Sequence, residues 1–173
     1  MSYMNTLKSN IKYSSSKLVG ELTRKNLKIA TAESCTGGLL SKYITDVPGS
    51  SLVFECGICS YSNHIKEKIL GVKAETLKKY TAVSAQVAKE MAHGVRILAK
   101  SDIAISTTGY AGPKSFNPNE KVGLVFICIE SENLSKIIKL DLHRNINNER
   151  EYIRNMTVNK AIIHLMNILA NNI

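Results

Sequence analysis

An apolar run from Leu27 to Ala32, interrupted by Lys28, passes straight into Thr31-Ala32-Glu33-Ser34-Cys35-Thr36-Gly37-Gly38, and an amphipathic helical pattern begins at Leu39. A strand that turns sharply into a helix leaves free backbone N–H groups at the helix start, with a partial positive charge behind them. Two glycines let a ligand approach that backbone closely, and Ser34 and Thr36 add hydroxyls at the same point. Such a turn suits a phosphate cradle, a nucleophilic serine, or both. The ordinary structural explanation is a capped helix after a glycine turn. The spacing is neither G-x-x-x-x-G-K-[ST] nor G-x-G-x-x-G, so neither a P-loop nor a dinucleotide cofactor is expected.

The same alternation continues along the chain. Leu7, Ile11, Leu18, Val19 and Leu22 recur at helical spacing within 3–26, ahead of a strand at 27–32. A helix over 37–45 ends before Asp46-Val47-Pro48-Gly49, a turn signal, and a second strand follows at about 52–61. Short helices are expected near 63–70 and 74–79, with Ser84 as N-cap of a longer helix to about 99. A strand at 102–107 leads into Thr108-Gly109-Tyr110-Ala111-Gly112-Pro113, then a polar loop from Lys114 to Lys121. Strands at 122–130 and 135–142 form a hairpin, and a last helix covers about 148–171. Strands alternating with helices and closing on a hairpin give an α/β sandwich with a mixed sheet, read as one domain over 1–173. Ligands bind outside the carboxyl ends of strands in such sheets, so Ser34 and Thr108 are expected to face one crevice.

The hydrophobic fraction of 44% and charged fraction of 21% fit a soluble globular chain, and no apolar run approaches the roughly 20 residues of a membrane span. Met1 to Lys8 shows no secretory signal, so a cytoplasmic location is expected. Net charge is +9, yet the basic residues are scattered and no aromatics interleave with them, which argues against nucleic acid. An anionic small substrate would gain from the same field by steering. The pair Cys56-x-x-Cys59 has the look of half a zinc site, but lies in an expected strand where residues three apart point to opposite faces. No second ligand pair is present and the histidines are dispersed, so buried, apolar-like cysteines and no metal are expected.

The remaining reactive groups are Gly49-Ser50-Ser51 at the start of the second strand and Tyr61-Ser62-Asn63-His64-Ile65-Lys66 after it. If Asn63 caps a helix, Lys66 falls in its first turn, where a cation opposes the dipole. That lysine is either an exposed side chain or the base of a Ser–Lys pair. Acting at pH 7 requires its pKa to fall by roughly three units, through burial and cationic neighbours. Tyr61 can relay the proton or orient the lysine. Arg150, near the start of the last helix, suits bidentate contact with a substrate phosphate, or is a surface residue beside Glu149 and Glu151.

Taken together, Ala32-Glu33-Ser34-Cys35-Thr36-Gly37-Gly38, Thr45-Asp46-Val47-Pro48-Gly49-Ser50-Ser51, Tyr61-Ser62-Asn63, Leu70-Gly71-Val72, Ala82-Val83-Ser84 and Thr108-Gly109-Tyr110-Ala111-Gly112-Pro113 resemble the CinA carboxy-terminal family, the nicotinamide mononucleotide deamidases, across residues 20–170. The resemblance implies hydrolysis of the nucleotide's carboxamide to nicotinate mononucleotide and ammonia. It also implies a three-layer α/β/α fold with a mixed, mostly parallel sheet like that of anticodon-binding domains, no metal, and a homo-oligomer. By position it implies a catalytic cluster of Ser34, Ser51, Tyr61 and Lys66, and a substrate site of Thr36, Gly37, Thr108, Gly109 and Arg150. Ser51 is favoured as nucleophile with Lys66 as base and Ser34 bridging, the exchange of the two serines remaining open. The chain departs from the family pattern in the Lys114–Lys121 loop and in Asn148-Glu149 ahead of Arg150. The rival readings are a catalytically lapsed ligand-binding or interaction module of the same fold and, on the charge, a nucleic-acid binder.

Overall fold

The computed structural model describes residues 3–115 and 119–172, so residues 116–118 of the expected Lys114–Lys121 loop lie outside the described residues. The elements are α1 (Tyr3–Arg24), β1 (Ile29–Glu33), α2 (Leu39–Thr45), a single 3-10 turn (Ser50–Leu52), β2 (Phe54–Cys59), α3 (Asn63–Leu70), α4 (Ala74–Tyr80), α5 (Ala85–Ala99), β3 (Ile103–Gly109), β4 (Leu124–Glu130), β5 (Ser135–Asp141) and α6 (Glu149–Asn172). The five strands form one sheet in the order β2-β1-β3-β4-β5. β1 pairs in parallel with β2 and β3, while β4 is antiparallel to both β3 and β5. Four strands therefore run one way and β4 runs the other, the mixed α/β sheet that the alternation of elements requires.

Burial explains the layering. β1 is buried along its whole length, as a central strand must be, whereas the edge strand β2 is nowhere fully buried. Ile29, Ile103, Ile105, Ile127 and Ile129 pack against α1 and α6 through Ile11, Leu18, Leu22, Ile153, Ile162 and Leu165. The opposite face carries small side chains, Ala30, Ala32 and Ala104, over which α5 lays Val87, Ala88, Met91, Ala92 and Val95. Alternate residues of β1 thus enter different cores, the period-two signature of a strand.

Two boundaries differ from the sequence reading for local reasons. Gly37 and Gly38 both take positive φ, +59° and +88°, so α2 starts at Leu39 rather than Gly37. Ser62, not Asn63, is the N-cap of α3, its Oγ accepting from Ile65 N at 3.3 Å. Ser84 caps α5 as expected, accepting from Val87 N at 3.2 Å. Among the described residues no helix is long and apolar enough to cross a membrane.

Candidate active site

The carboxyl ends of β1, β2 and β3 open onto a cavity of about 670 Å³. Its walls are Ser34 and Cys35 after β1, Tyr61 to Asn63 and Lys66 at the start of α3, Thr81 to Val83 ahead of α5, Thr108 to Gly112 at the end of β3 and just beyond it, and Lys114 and Arg150. Ser34 and Thr108 do share one crevice, as the position of both at strand ends dictates. Thr108 is itself buried, and its hydroxyl donates to Ala82 O at 2.7 Å, tying the end of β3 to the wall ahead of α5.

Lys66 is at the centre. It is only 1% exposed, although it carries an amine at the end of a long side chain. Its Nζ donates to Ser60 O at 2.7 Å and to Tyr61 O at 3.5 Å, and lies 3.2 Å from Ser34 Oγ. Among the described residues it pairs with no carboxylate. Burial therefore acts unopposed by an anion at hydrogen-bond range and lowers its pKa from 10.5 to about 8. No cationic neighbour contributes to that fall, in contrast to the sequence expectation. A neutral amine has two hydrogens and one lone pair. With the hydrogens on the two carbonyls, the lone pair faces the Ser34 hydroxyl.

Cys35 also borders the cavity, but burial pushes its thiol up to about 12, so it stays protonated and unreactive. Arg150 straddles the mouth, donating from Nη1 to Gly112 O at 2.5 Å and from Nη2 to Tyr61 Oη at 3.2 Å. Ser34, Tyr61, Lys66, Thr108, Gly109 and Arg150 are accordingly brought together.

Three expected site residues are not. Ser51 lies in the turn before β2, where Lys28 Nζ donates to Leu52 O at 2.7 Å, at the amino ends of the parallel strands. Lys66 hangs from Ser60 beyond the carboxyl ends, a six-residue strand away, which is about 20 Å. Within one chain Ser51 cannot hand its proton to Lys66. Thr36 and Gly37 do not line the cavity. Thr36 is buried with its hydroxyl 2.7 Å from that of Thr107, and exposed Gly37 forms the left-handed turn. The α2 start does not offer open N–H groups either. The wholly buried Glu33 carboxylate accepts from Leu40 N at 3.0 Å, Ser41 N at 2.8 Å and Ser41 Oγ at 2.6 Å. An acidic side chain of the chain itself fills the place held open for a phosphate.

Glu33 and Arg154 escaped the sequence reading. The signal for Arg154 was its spacing: it lies four residues after Arg150, on the same helix face. Cys56 and Cys59 do face opposite sides of β2. Cys56 packs towards α5, but Cys59 is exposed beside Gly38, contrary to the expectation that both are buried. Among the described residues no three His, Cys, Asp or Glu side chains gather as metal ligands do.

A five-stranded α/β sandwich with a lysine amine set against a serine hydroxyl at the strand ends defines the class. The CinA C-terminal domain model matches residues 12–169, and the chain belongs to that family. It is 53% identical over 124 residues to a Caldanaerobacter subterraneus protein named as competence-damage inducible, covering 72% of this chain and 30% of that one. A CinA-like protein of Leptospira interrogans is 53% identical over 112 residues, 65% of this chain and 27% of that one. The chain thus spans about a third of the length of the curated relatives it matches. Among solved structures, the competence/damage inducible protein CihA of Agrobacterium tumefaciens superposes with a TM-score of 0.86 at 34% identity, over 92% of this chain and 95% of that one. A CinA superfamily protein of Klebsiella pneumoniae gives 0.87 at 28% identity, over 92% and 98%.

Proposed function

We propose that the chain is a metal-independent amidohydrolase acting on the carboxamide of nicotinamide mononucleotide, with Ser34 as nucleophile and Lys66 as base. The observation that carries this reading is the Lys66 amine, buried and unpaired with any acid among the described residues, 3.2 Å from the Ser34 hydroxyl. At a pKa of about 8, about one lysine in ten is neutral at pH 7. An ordinary lysine would be neutral about once in three thousand.

The chemistry then runs in two halves. Ser34 Oγ attacks the carboxamide carbon as its proton passes to Lys66, giving a tetrahedral oxyanion. The lysine returns that proton to the departing nitrogen, the C–N bond breaks, and ammonia leaves an acyl ester on Ser34. Water attacks the ester with Lys66 again taking the proton, and nicotinate mononucleotide is released as Ser34 recovers its hydrogen. A cavity of about 670 Å³ accommodates a mononucleotide, and Arg150 and Lys114 at its rim supply positive charge for the phosphate.

Ammonia release from nicotinamide mononucleotide tests the reading. Ser34→Ala and Lys66→Ala are each expected to reduce turnover by at least about 1,000-fold. Ser51→Ala is expected to stay within about threefold of the unaltered chain. Loss of turnover in Ser51→Ala with retention in Ser34→Ala would reverse the assignment.

A further inference from the structure

The half-buried Arg154 of α6 directs two donors at a single backbone oxygen. Its Nε and Nη2 lie 3.1 and 2.7 Å from the carbonyl of Thr36, two residues beyond Ser34. That carbonyl already accepts from Leu39 N at 3.2 Å, so the arginine does not rescue an orphaned acceptor. Nor does a carboxylate explain the cation: among the described residues Arg154 makes no ion pair.

The peptide that Arg154 grips leads directly to the serine. Thr36 C=O and Gly37 N–H belong to one planar unit, and Gly37 N donates to Ser34 O at 3.2 Å. A bond to one end of a peptide polarises and fixes the other. Ser34 N in turn donates to Thr107 O at 2.9 Å, and the Thr36 and Thr107 hydroxyls meet at 2.7 Å. The guanidinium also lies over the turn itself, since a Cβ on Gly37 would come 3.5 Å from Nη2. Ser34 is thereby held from β3 on one side and from α6, through the 36–37 peptide, on the other.

We propose that Arg154 is the positioning residue of the site, its paired bonds to the Thr36 carbonyl holding the turn that aims the Ser34 hydroxyl at Lys66. The inference rests on the reading of Ser34 as nucleophile. Arg154 touches no part of the cavity, so it acts on the geometry of attack and leaves substrate affinity alone.

The test follows modification of Ser34 by a small aryl sulfonyl fluoride, located by mass spectrometry, alongside turnover of nicotinamide mononucleotide. Arg154→Met is expected to slow both the Ser34 reaction and kcat by about 10- to 100-fold with KM within about twofold, the scale of a displacement near 1 Å. Arg154→Lys, which retains one of the two bonds, recovers part of the rate. The pH midpoint of the reaction stays near 8, because Lys66 remains buried. Wild-type rates in Arg154→Met would overturn the inference. So would a midpoint climbing towards 10.5 with a falling Tm, which marks water entering a loosened core. A wild-type chain whose Ser34 does not react sinks the nucleophile assignment itself, and the positioning role with it, without any variant being needed.

Discussion

Lys66 shows how far one side chain departs from its solution behaviour when it is taken out of water. Its folded pKa, about 8, is below the unfolded value of 10.5, so between those values the unfolded chain binds more protons than the folded one. Stability from this group is therefore lowest below pH 8, where the ammonium must be buried, and rises with pH until about 10.5. Lys66→Met removes that burden. Its Tm relative to the unaltered chain is expected to be most favourable at pH 7 and to lose ground steadily as pH rises from 8 to 10.5. Paired thermal melts across that range check the sign. In the proposed reaction turnover depends on the same group and is expected to rise through pH 8 and then level off. Such a lysine was partly legible beforehand, because a cation in the first turn of a helix is out of place unless something else uses it. Its bonds to the carbonyls of Ser60 and Tyr61 were not, since they depend on how the chain leaves β2.

At the level of elements, the position of α3 sets the position of Lys66, and α5 sets the position of α3. A Cβ placed on Gly94 of α5 would come within 1.8 Å of Leu70 O, the last residue of α3. Alanine is the better helix former by about 1 kcal/mol, so a solvent-facing Gly94→Ala would stabilise. Here the two helices must part instead, at a cost that exceeds that gain. Gly94→Ala is expected to lose about 2 kcal/mol net, a fall of about 4–8 °C in Tm, with reduced turnover as Lys66 drifts from Ser34. Calorimetry and ammonia release on the same sample separate this from a helix that merely gains propensity. Periodicity made the long helices readable to within a few residues, because each has one buried and one wet face, whereas β1, buried along its whole length, showed only as a short, mostly apolar run ahead of a turn. The fate of Ser51 was readable in principle as well. A serine that precedes its strand and one that follows a parallel neighbour lie a strand length apart. The pairing of Ser51 with Lys66 came from the family resemblance and ran against the strand order. The capping of α2 by Glu33 was not readable, since a carboxylate beside a glycine turn looks the same whether it faces water or a helix end.

Over the whole molecule, 23 basic against 14 acidic side chains give +9, a charge that says nothing about the fold but acts on whatever approaches it. Scattered lysines without interleaved aromatics lack the stacking platforms that single-stranded nucleic-acid grooves use, whereas a diffuse positive field favours the approach of a small anion such as the proposed substrate. The proposed substrate offers a clean way to tell steering from background. Nicotinamide mononucleotide combines a cationic ring with a doubly charged phosphate at pH 8, while its riboside lacks the phosphate and is net positive. If the field guides the phosphate to the mouth marked by Arg150 and Lys114, kcat/KM for the mononucleotide falls several-fold between about 20 and 300 mM salt, as the Debye length shortens from about 20 Å to below 10 Å. Saturated turnover stays level, because the buried Ser34–Lys66 contact is little screened. The riboside, attracted by nothing and repelled by the same field, is expected to show no loss, or a gain, over that range. Equal salt slopes for the two compounds would mean that the charge of this chain does not steer the phosphate to the proposed site.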